Sequence, residues 1–461
     1  MKVYNSLTHQ KEEFIPLKKG EIKMYSCGIT VSKDAHIGHA IQAMIFDIMR
    51  KYFEKKGYKV IYARNYTDVD DKIIDIANQL GINPMEHAER LIKKTDDEMH
   101  KLGISDATLT LRATEYIPQI IEFVKKLIEK DYAYATPEGD VYFRVSKFKD
   151  YGKLSHRTLE DALESVRIDN EKNKETPFDF ALWKSAKPNE IYWESPWGKG
   201  RPGWHIECSA MNYYGLGEQI DIHGGGRDLI FPHHENEIAQ TESLTGKQFA
   251  KYWFHNGLVK VNGQKMSKSL NNSILIEDIL KKYHPEIIRF ALLQTNYKND
   301  VNITDDLFAI ASKHMIDFYK TLAEIESKNL TSKKENKLIE KSFDDAMDDD
   351  FNTAKALANL FDIFKTMNNK LRNDDESVIE DYNAVKETYG LLGIFKQNAQ
   401  DFLNQNQEKI IIPDYVIELA DKRLEARKLK NWKESDELRE KIKQNGFEIL
   451  DSKDGYTLKK I

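Results

Sequence analysis

The chain has 461 residues, 40% of them hydrophobic, and a formal charge of −6 at pH 7, so it can bury a large core and form roughly two to four domains. Its two cysteines, Cys27 and Cys208, are too few for a small disulfide-dependent secreted fold, which leaves them as thiols or metal ligands. The acidic charge argues against a uniformly basic nucleic-acid binder, and the absence of a long apolar run or signal pattern predicts a cytoplasmic protein that does not cross a membrane.

The first predicted elements are a strand, a long helix and a second strand. Residues 22–28 are typical of a strand that ends at a glycine, and residues 60–62 of a second strand. Between them, apolar side chains recur at helical spacing, and Gly57 follows where a left-handed residue would end the helix. These side chains are Ile41, Met44, Ile45, Ile48, Met49, Tyr52 and Phe53. The order predicts an α/β fold with a Rossmann-type parallel sheet, whose ligands bind beyond the carboxyl ends of its strands.

The sheet is expected to resume after an insertion. Residues from about 85 to 200 mix helical stretches with turns rich in Pro, Gly and Trp, and we interpret them as an excursion from the sheet. The strand pattern returns at residues 219–223, runs into a glycine cluster and leads to a helix that opens at His233. Farther along, Asn262 and Gly263 predict a tight turn.

These patterns predict four regions along the chain. A catalytic domain spans 1–304, a helical bundle 305–396, a Gln/Asn-rich linker 397–412, and a small C-terminal domain 413–461. Residues 418–461 hold 12 Lys/Arg against 10 Asp/Glu. The cationic end of this acidic chain is therefore its tail.

The string His36-Ile37-Gly38-His39 falls between a predicted strand end and a helix N-terminus. Exposed backbone N–H groups and the helix dipole favour a triphosphate there. Gly38 lets a base or ribose approach closely, and His36 and His39 can donate hydrogen bonds to phosphate oxygens as charge builds on them. Taken alone, such a string also fits a loop whose histidines have no catalytic role.

A second string, Lys265-Met266-Ser267-Lys268-Ser269, brings two ammonium groups and two hydroxyls to one loop. We expect this loop to be mobile and suited to closing over the leaving pyrophosphate; the alternative is a solvated lysine loop. Because both strings occur in order beside one predicted sheet, they predict an ATP site. Together they resemble the paired signatures of class I aminoacyl-tRNA synthetases, and this resemblance implies amino-acid activation.

Four residues form a candidate metal site. Cys27 ends the first predicted strand, Cys208 can reach the same sheet edge, and two thiolates there favour a soft metal. His233 and Glu237 lie at i and i+4 on one predicted helix face, the spacing of zinc ligands. The alternative is that both cysteines are small buried hydrophobic residues. Because a carboxylate ligand such as Glu237 can yield, a substrate thiolate could join the protein ligands.

Over nearly its whole length the sequence resembles the cysteinyl-tRNA synthetase family. The matching segments are 2–5, 24–28, 64–72, 179–184, 203–211 and the stretch 223–237, of which the last two are highly specific. The chain departs from the family at residues 29–33, which lack the usual Pro after the glycine and a Tyr-Asp pair. It also departs at Ile41, where a basic residue is common, and at Asn271, where glycine is common.

The resemblance implies a ligase reaction in two steps. The cysteine carboxylate attacks the α-phosphate of ATP in line, pyrophosphate leaves, and the adenylate passes its cysteinyl group to the 3′-terminal ribose of tRNA(Cys). The resemblance implies one Zn²⁺ that selects the cysteine thiolate over the serine hydroxyl, Mg²⁺ with ATP, and a monomer. We expect no editing domain. The implied zinc ligands are Cys27, Cys208, His233 and Glu237.

The resemblance also implies a task for individual residues. Those that stabilise charge in the reaction are His36, His39, Lys265 and Lys268, and ATP binding adds Gly38 and Ser267. The positions around the bound amino acid are Gly28, Thr67, Trp204 and His223. The positions associated with the anticodon, where Arg and Asp can bond base edges and Trp can stack, are Arg427, Trp432, Asp436 and Asp451.

Two other functions remain open at this point. A ligase of the same fold could join activated cysteine to an amino sugar, but it would have little use for residues 305–461. A non-catalytic tRNA- or zinc-binding relative would be expected to lose the lysine string or the histidine pair, and both are intact.

Overall fold

The computed structural model describes residues 1–158, 173–188, 190–266, 272–304, 306–406, 414–452 and 455–460. The chain divides into two compact units, Met1–Gln400 and Asp401–Ile461. Within the described residues, no helix is both long enough and apolar enough to cross a membrane.

The first unit opens with a short antiparallel hairpin and continues into the predicted strand–helix–strand unit. The hairpin strands are β1 and β2, at Lys2–Asn5 and Gln10–Glu13. They are followed by β3, α1 and β4, at Glu21–Thr30, Ile37–Lys55 and Lys59–Thr67. Strands β3 and β4 pair in parallel, the apolar α1 side chains that set the helical pattern are buried, and Gly57 has φ +89°. The prediction for this segment is confirmed.

The next segment returns to the sheet sooner than expected. Helices α2 and α3, at Asp71–Leu80 and Pro84–Lys101, lead to β5 at Leu109–Arg112, which pairs in parallel with β4. The expected excursion over residues 85–200 therefore contains an edge strand of the central sheet. A four-residue strand carries too little periodicity to be told from a loop by sequence alone.

The rest of the expected insertion contains a second, antiparallel sheet. Helix α4, at Ile117–Glu129, is followed by four strands in the order β6-β7-β8-β9. These strands lie at Ala133–Ala135, Val141–Phe143, Phe180–Ser185 and Gly200–Pro202. Their apolar side chains, including Phe143 and Trp183, share one buried cluster with Phe123 of α4.

The central sheet is completed by α5, β10, α6 and β11, at Trp204–Gly215, Ile220–Gly226, Glu235–Thr245 and Ala250–Asn256. Its strand order is β11-β10-β3-β4-β5, and every neighbouring pair is parallel. This confirms the predicted parallel α/β sheet. The helix expected to open at His233 begins at Glu235, and His233 lies in the π-helical turn Ile230–His234 that precedes it.

The predicted Asn-Gly turn joins β12 to β13, at Val259–Val261 and Gln264–Lys265, with Asn262 and Gly263 both at positive φ. Helices α7 and α8 and strand β14 follow at Ile276–Lys282, Pro285–Leu293 and Val301–Ile303. Helices α9 to α12 then make up the expected helical region, at Leu307–Ser327, Lys337–Met347, Thr353–Arg372 and Val378–Gly390.

The expected linker, residues 397–412, is partly helical. Helix α13 spans Ala399–Asn406, and Phe402 and Leu403 in it are buried, while residues 407–413 lie outside the described part of the chain. The segment is predicted to be a linker because it is rich in Gln and Asn. A short helix is stable there because packing of the buried Phe402 and Leu403 supports it.

The second unit combines a helical hairpin with a β-hairpin. Helices α14 and α15 lie at Asp414–Lys428 and Trp432–Gln444, and the antiparallel strands β15 and β16 at Phe447–Ser452 and Gly455–Lys460. All four elements contribute to a small core, made of Val416, Ala420, Ile442, Phe447, Ile449 and Leu458.

Candidate active site

The carboxyl ends of neighbouring strands bring together residues that lie far apart in the sequence. Cys27 lies near the end of β3, Thr67 is the last residue of β4, and His223 lies in β10. This is the edge at which parallel sheets bind ligands. A cavity of about 390 Å³ opens beside it.

The structure brings Cys27, Cys208, His233 and Glu237 into one cluster. All four side chains are buried, and their ligand atoms lie within 4.8 Å of one another. The two sulfur atoms are 3.8 Å apart, and Glu237 Oε1 is 3.2 Å from Cys27 Sγ and 3.1 Å from His233 Nε2. Two thiolates bound tetrahedrally at about 2.3 Å from zinc would be separated by about 3.8 Å. The donor set therefore fits zinc.

The charges in this cluster suit a cation. The hydrogen bond from Cys27 lowers the pKa of Cys208 to about 6, whereas burial raises the pKa of Cys27. Burial would raise the pKa of Glu237, but His223 and His233 beside it hold that pKa well below its usual range. Burial would lower the pKa of His233, but Glu237 and Cys208 together have the larger effect and raise this pKa to about 10. The cluster offers one thiolate and one carboxylate to a metal.

A second donor set overlaps the first. The ligand atoms of Cys27 and Glu237 also lie within 4.8 Å of those of His223 and His234, and His223 Nε2 is 2.7 Å from Glu237 Oε2. His223, which the resemblance puts around the amino acid, thus lies against the metal cluster. Because the second set contains one sulfur instead of two, the first set is the better fit for a thiophilic ion.

Sequence reasoning missed two histidines of this region, His205 and His255. His205 Nδ1 is 3.0 Å from His233 Nδ1, and His255 Nε2 is 2.8 Å from His234 Nδ1. The i, i+3 spacing of His205 and Cys208 on one helix face could have indicated the first. His255 comes from a different strand, β11, and no local motif points to it.

Gly28 and Trp204, two of the residues expected around the amino acid, lie beside the cluster residues Cys27 and His233. Gly28 leaves no room for a side chain, since a Cβ there would lie 1.6 Å from the Asn65 carbonyl oxygen, and its N–H donates to Asn65 Oδ1 at 2.8 Å. Thr67 is buried at the end of β4. Trp204 is 38% exposed, and its ring centroid is 4.3 Å from that of His233. Gly28 and Trp204 line the cavity.

The histidine string forms the N-terminus of α1, with His36 as its N-cap. The His36 backbone N–H donates to His39 Nδ1 at 3.3 Å, and the two rings stack with centroids 3.7 Å apart. Because Nδ1 accepts, His39 carries its proton on Nε2 and can donate it to a phosphate oxygen. Gly38 lines the cavity with both histidines, and a Cβ on it would press on the His36 ring at 3.1 Å.

The lysine string begins next to the histidine string. Lys265 is exposed at the end of β13 and lines the same cavity, as does Met266. A Cβ on Gly38 would lie 3.5 Å from the Met266 methyl carbon. Ser267 and Lys268, which the sequence predicts for ATP binding and catalysis, lie outside the described residues.

In the second unit, three of the residues associated with the anticodon lie close together. Arg427 NH1 is 2.9 Å from Asp451 Oδ2, and the Arg427 guanidinium carbon is 5.9 Å from the centroid of the Trp432 ring, which is 58% exposed. Asp451 also accepts two hydrogen bonds, at 2.7 and 3.0 Å, from the buried Arg423, which sequence reasoning missed. Asp436 is exposed on α15.

Sequence comparison finds relatives over the full length of the chain. Residues 13–313 match the model of the tRNA synthetases class I (C) catalytic domain, and residues 342–396 match the DALR domain. The cysteine–tRNA ligase of Caldicellulosiruptor saccharolyticus is 46% identical over 473 residues, and the alignment covers 100% of both chains. That of Geobacter sp. (strain M21) is 46% identical over 479 residues, which cover 100% of this chain and 99% of the relative.

Structural comparison agrees with the sequence. The Mycobacterium tuberculosis methionyl-tRNA synthetase in complex with methionyl-adenylate aligns with a TM-score of 0.60 at 13% identity, over 84% of this chain and 92% of that one. Identity this low shows the fold alone. Fold and matched domain define a class I aminoacyl-tRNA synthetase, a ligase that activates an amino acid and charges tRNA. Within that class, the chain belongs to the cysteine–tRNA ligase family.

Proposed function

We propose that the protein joins L-cysteine to tRNA(Cys), selecting the amino acid by its sulfur through a zinc ion and holding ATP in the adjoining cavity. The observation that carries this proposal is the buried pair of sulfurs, 3.8 Å apart, beside that cavity. Similarity to cysteine–tRNA ligases over the whole chain supports it. The DALR match at residues 342–396 argues against the amino-sugar ligase, which has little use for that region.

Cys27, Cys208, His233 and Glu237 would hold the zinc. When bound, the ion supplies a soft acceptor for the cysteine thiolate and a much weaker one for the serine hydroxyl, which a pocket selecting by shape alone would separate poorly. The surrounding side chains orient the ligands. His223 bonds the second oxygen of Glu237, and His205 lies against the far nitrogen of His233, as outer-shell partners of metal ligands do.

The nucleotide would lie at the N-terminus of α1. There His39 Nε2 can bond a phosphate oxygen beside the positive end of the α1 dipole, Gly38 leaves space for the ribose or base, and Lys265 faces the same cavity. Mg²⁺ would accompany the phosphates. Adenylate formation needs no covalent enzyme intermediate, so His36, His39, Lys265 and Lys268 would act by positioning and charge stabilisation. For Ser267 and Lys268 the sequence string is the support.

The tail, residues 413–461, would bind the anticodon. Trp432 is exposed enough to stack on a base, and Arg427 beside it can bond a base edge. Because both Asp451 oxygens are engaged by arginines, we assign Asp451 the task of orienting Arg427. Asp436 would accept a hydrogen bond from a base.

Acylation of purified tRNA(Cys) with labelled cysteine, run beside an amino-sugar acceptor, tests the function. We expect ATP-dependent labelling of the tRNA and none of the sugar, and loss of labelling in Cys208→Ala. Transfer to the sugar alone would contradict the proposal. The monomeric state and cytoplasmic location remain predictions, which sedimentation velocity and cell fractionation would check.

A further inference from the structure

A backbone segment that borders the proposed ATP cavity is paired with a second segment farther along the chain. Residues 35–37, at the start of α1, run antiparallel to residues 274–276 and share backbone hydrogen bonds of 2.9 and 3.1 Å with them. His36 lies opposite Leu275. The second segment follows the lysine string in the sequence. The pairing fixes the backbone at the start of the histidine string.

Two carboxylates flank this pairing. Asp34 directly precedes one paired segment and Glu277, in the first turn of α7, directly follows the other, and like charges held close together repel each other. Lys281 Nζ lies 2.7 Å from Glu277 Oε1, and Lys94 of α3 bridges both carboxylates. Its Nζ is 2.8 Å from Asp34 Oδ1 and 2.7 Å from Glu277 Oε2. These hydrogen bonds raise the pKa of Lys94, and hydrogen bonds from Lys281 and Lys94 lower the pKa of Glu277 to about 2.

Asp34, one end of the bridge, directly follows residues 29–33, which depart from the family pattern. The same loop is fixed to α3 again where His87 Nε2 lies 3.1 Å from the Ser32 carbonyl oxygen. Asp34 and Glu277 have side chains 40% and 43% exposed. Ion pairs at such exposure contribute little to global stability. The effect of Lys94 is therefore on the local geometry of the cavity wall.

We propose that Lys94 is a positioning residue for adenylate formation. By holding Asp34 and Glu277 together it keeps residues 35–37 paired with residues 274–276, and so keeps His36 in its place on the cavity wall. Asp34 and His36 both line the cavity, so an opened pairing would displace the wall on which ATP lies. The inference rests on the proposed ATP site.

Lys94→Met tests the proposal in cysteine-dependent ATP–pyrophosphate exchange. We expect the KM for ATP to rise about tenfold and the kcat of activation to fall about tenfold, because small displacements of binding groups cost rate steeply. The KM for cysteine should stay unchanged, because the Lys94 ion pairs do not include any residue of the proposed metal site. The thermal unfolding midpoint should stay within about 2 °C of wild type. Lys94→Arg should retain activity, and Lys93→Met, an exposed neighbour on α3, is the matched control.

The sharpest arm is a double variant. Removing one carboxylate relieves the repulsion that Lys94→Met exposes, so Lys94→Met with Glu277→Gln should recover most of the lost activity. Unchanged ATP kinetics in Lys94→Met, no recovery in the double variant, or a midpoint lowered by more than about 5 °C would each overturn the proposal. His39→Ala distinguishes failure of this inference from failure of the proposed ATP site. If His39→Ala loses exchange activity while Lys94→Met keeps it, only the inference about Lys94 fails. If both variants keep wild-type activity, the proposed ATP site is also wrong.

Discussion

Replacing Gly28 with alanine tests how tightly the sheet edge constrains the metal cluster. Gly28 follows the proposed zinc ligand Cys27 in β3, and a Cβ there would lie 1.6 Å from the Asn65 carbonyl oxygen of β4. Since carbon and oxygen in contact are normally about 3.3 Å apart, β3 and β4 would have to separate by more than about 1.5 Å, or the Cys27–Gly28 backbone would have to rotate. Either change moves the Cys27 sulfur.

We expect Gly28→Ala to lower the free energy of unfolding by about 1–3 kcal/mol, as overpacking does. Zinc affinity should fall about 10–100-fold, because the ligand next to the substituted residue is displaced. Urea unfolding measures the first quantity, and competition with a chromogenic chelator measures the second. Gly215→Ala is the control. Its Cβ would meet Leu111 at 3.4 Å, so its stability should change by less than about 1 kcal/mol.

Wild-type stability and zinc affinity in Gly28→Ala would refute this reasoning, because the Asn65 contact leaves no space that a side chain could use without movement. Equal losses in Gly28→Ala and Gly215→Ala would also refute it. The effect would then follow from losing any glycine in the domain and not from the β3–β4 contact.

Three further changes have distinct expected results. Arg427→Ala should raise the KM for tRNA(Cys) about tenfold in aminoacylation while sparing cysteine-dependent pyrophosphate exchange, and equal loss of both activities would count against the anticodon role. Asp451→Asn should weaken aminoacylation in the same direction by a smaller factor, and an increase would contradict the orienting task. Burial raises the pKa of Glu98 to about 7 against the opposing charge of Lys94, whose Nζ lies 3.8 Å from Glu98 Oε1, and the Glu98 oxygens lack a hydrogen-bond partner among the described residues. Wild-type stability should therefore fall as pH rises from about 4.3 to 7, and Glu98→Gln should gain about 1–3 kcal/mol at pH 8 but nothing near pH 4 in urea unfolding.

Periodic local patterns were enough to predict the centre of the fold. Helix α1 and the strands on either side of it can be predicted from short stretches of sequence, because the pattern of each element depends only on neighbouring residues. The same holds for the Asn262–Gly263 turn. Strand β5 and helix α13 could not be predicted in this way. The first is four residues long, and the second depends on one buried Phe-Leu pair in a polar stretch.

Some contacts of the candidate site could likewise be predicted from local sequence patterns, and others could not. His233 lies in the π-helical turn that leads into α6 and Glu237 lies in the first turn of α6, so their i, i+4 spacing in the sequence indicates a ligand pair. Other contacts join residues whose proximity only the folded chain creates: Lys94 with Asp34 and Glu277, or Asp451 with Arg423. Charged residues of this kind are common on exposed helices, and no spacing rule distinguishes the few that are paired across the fold.

The most direct test of the central claim is ATP–pyrophosphate exchange with cysteine and with serine, before and after zinc is removed by a chelator. We expect exchange with cysteine to be lost on removal and restored by added zinc, and exchange with serine to stay negligible throughout. Cysteine-dependent exchange that survives complete zinc removal, with its preference over serine intact, would contradict the account.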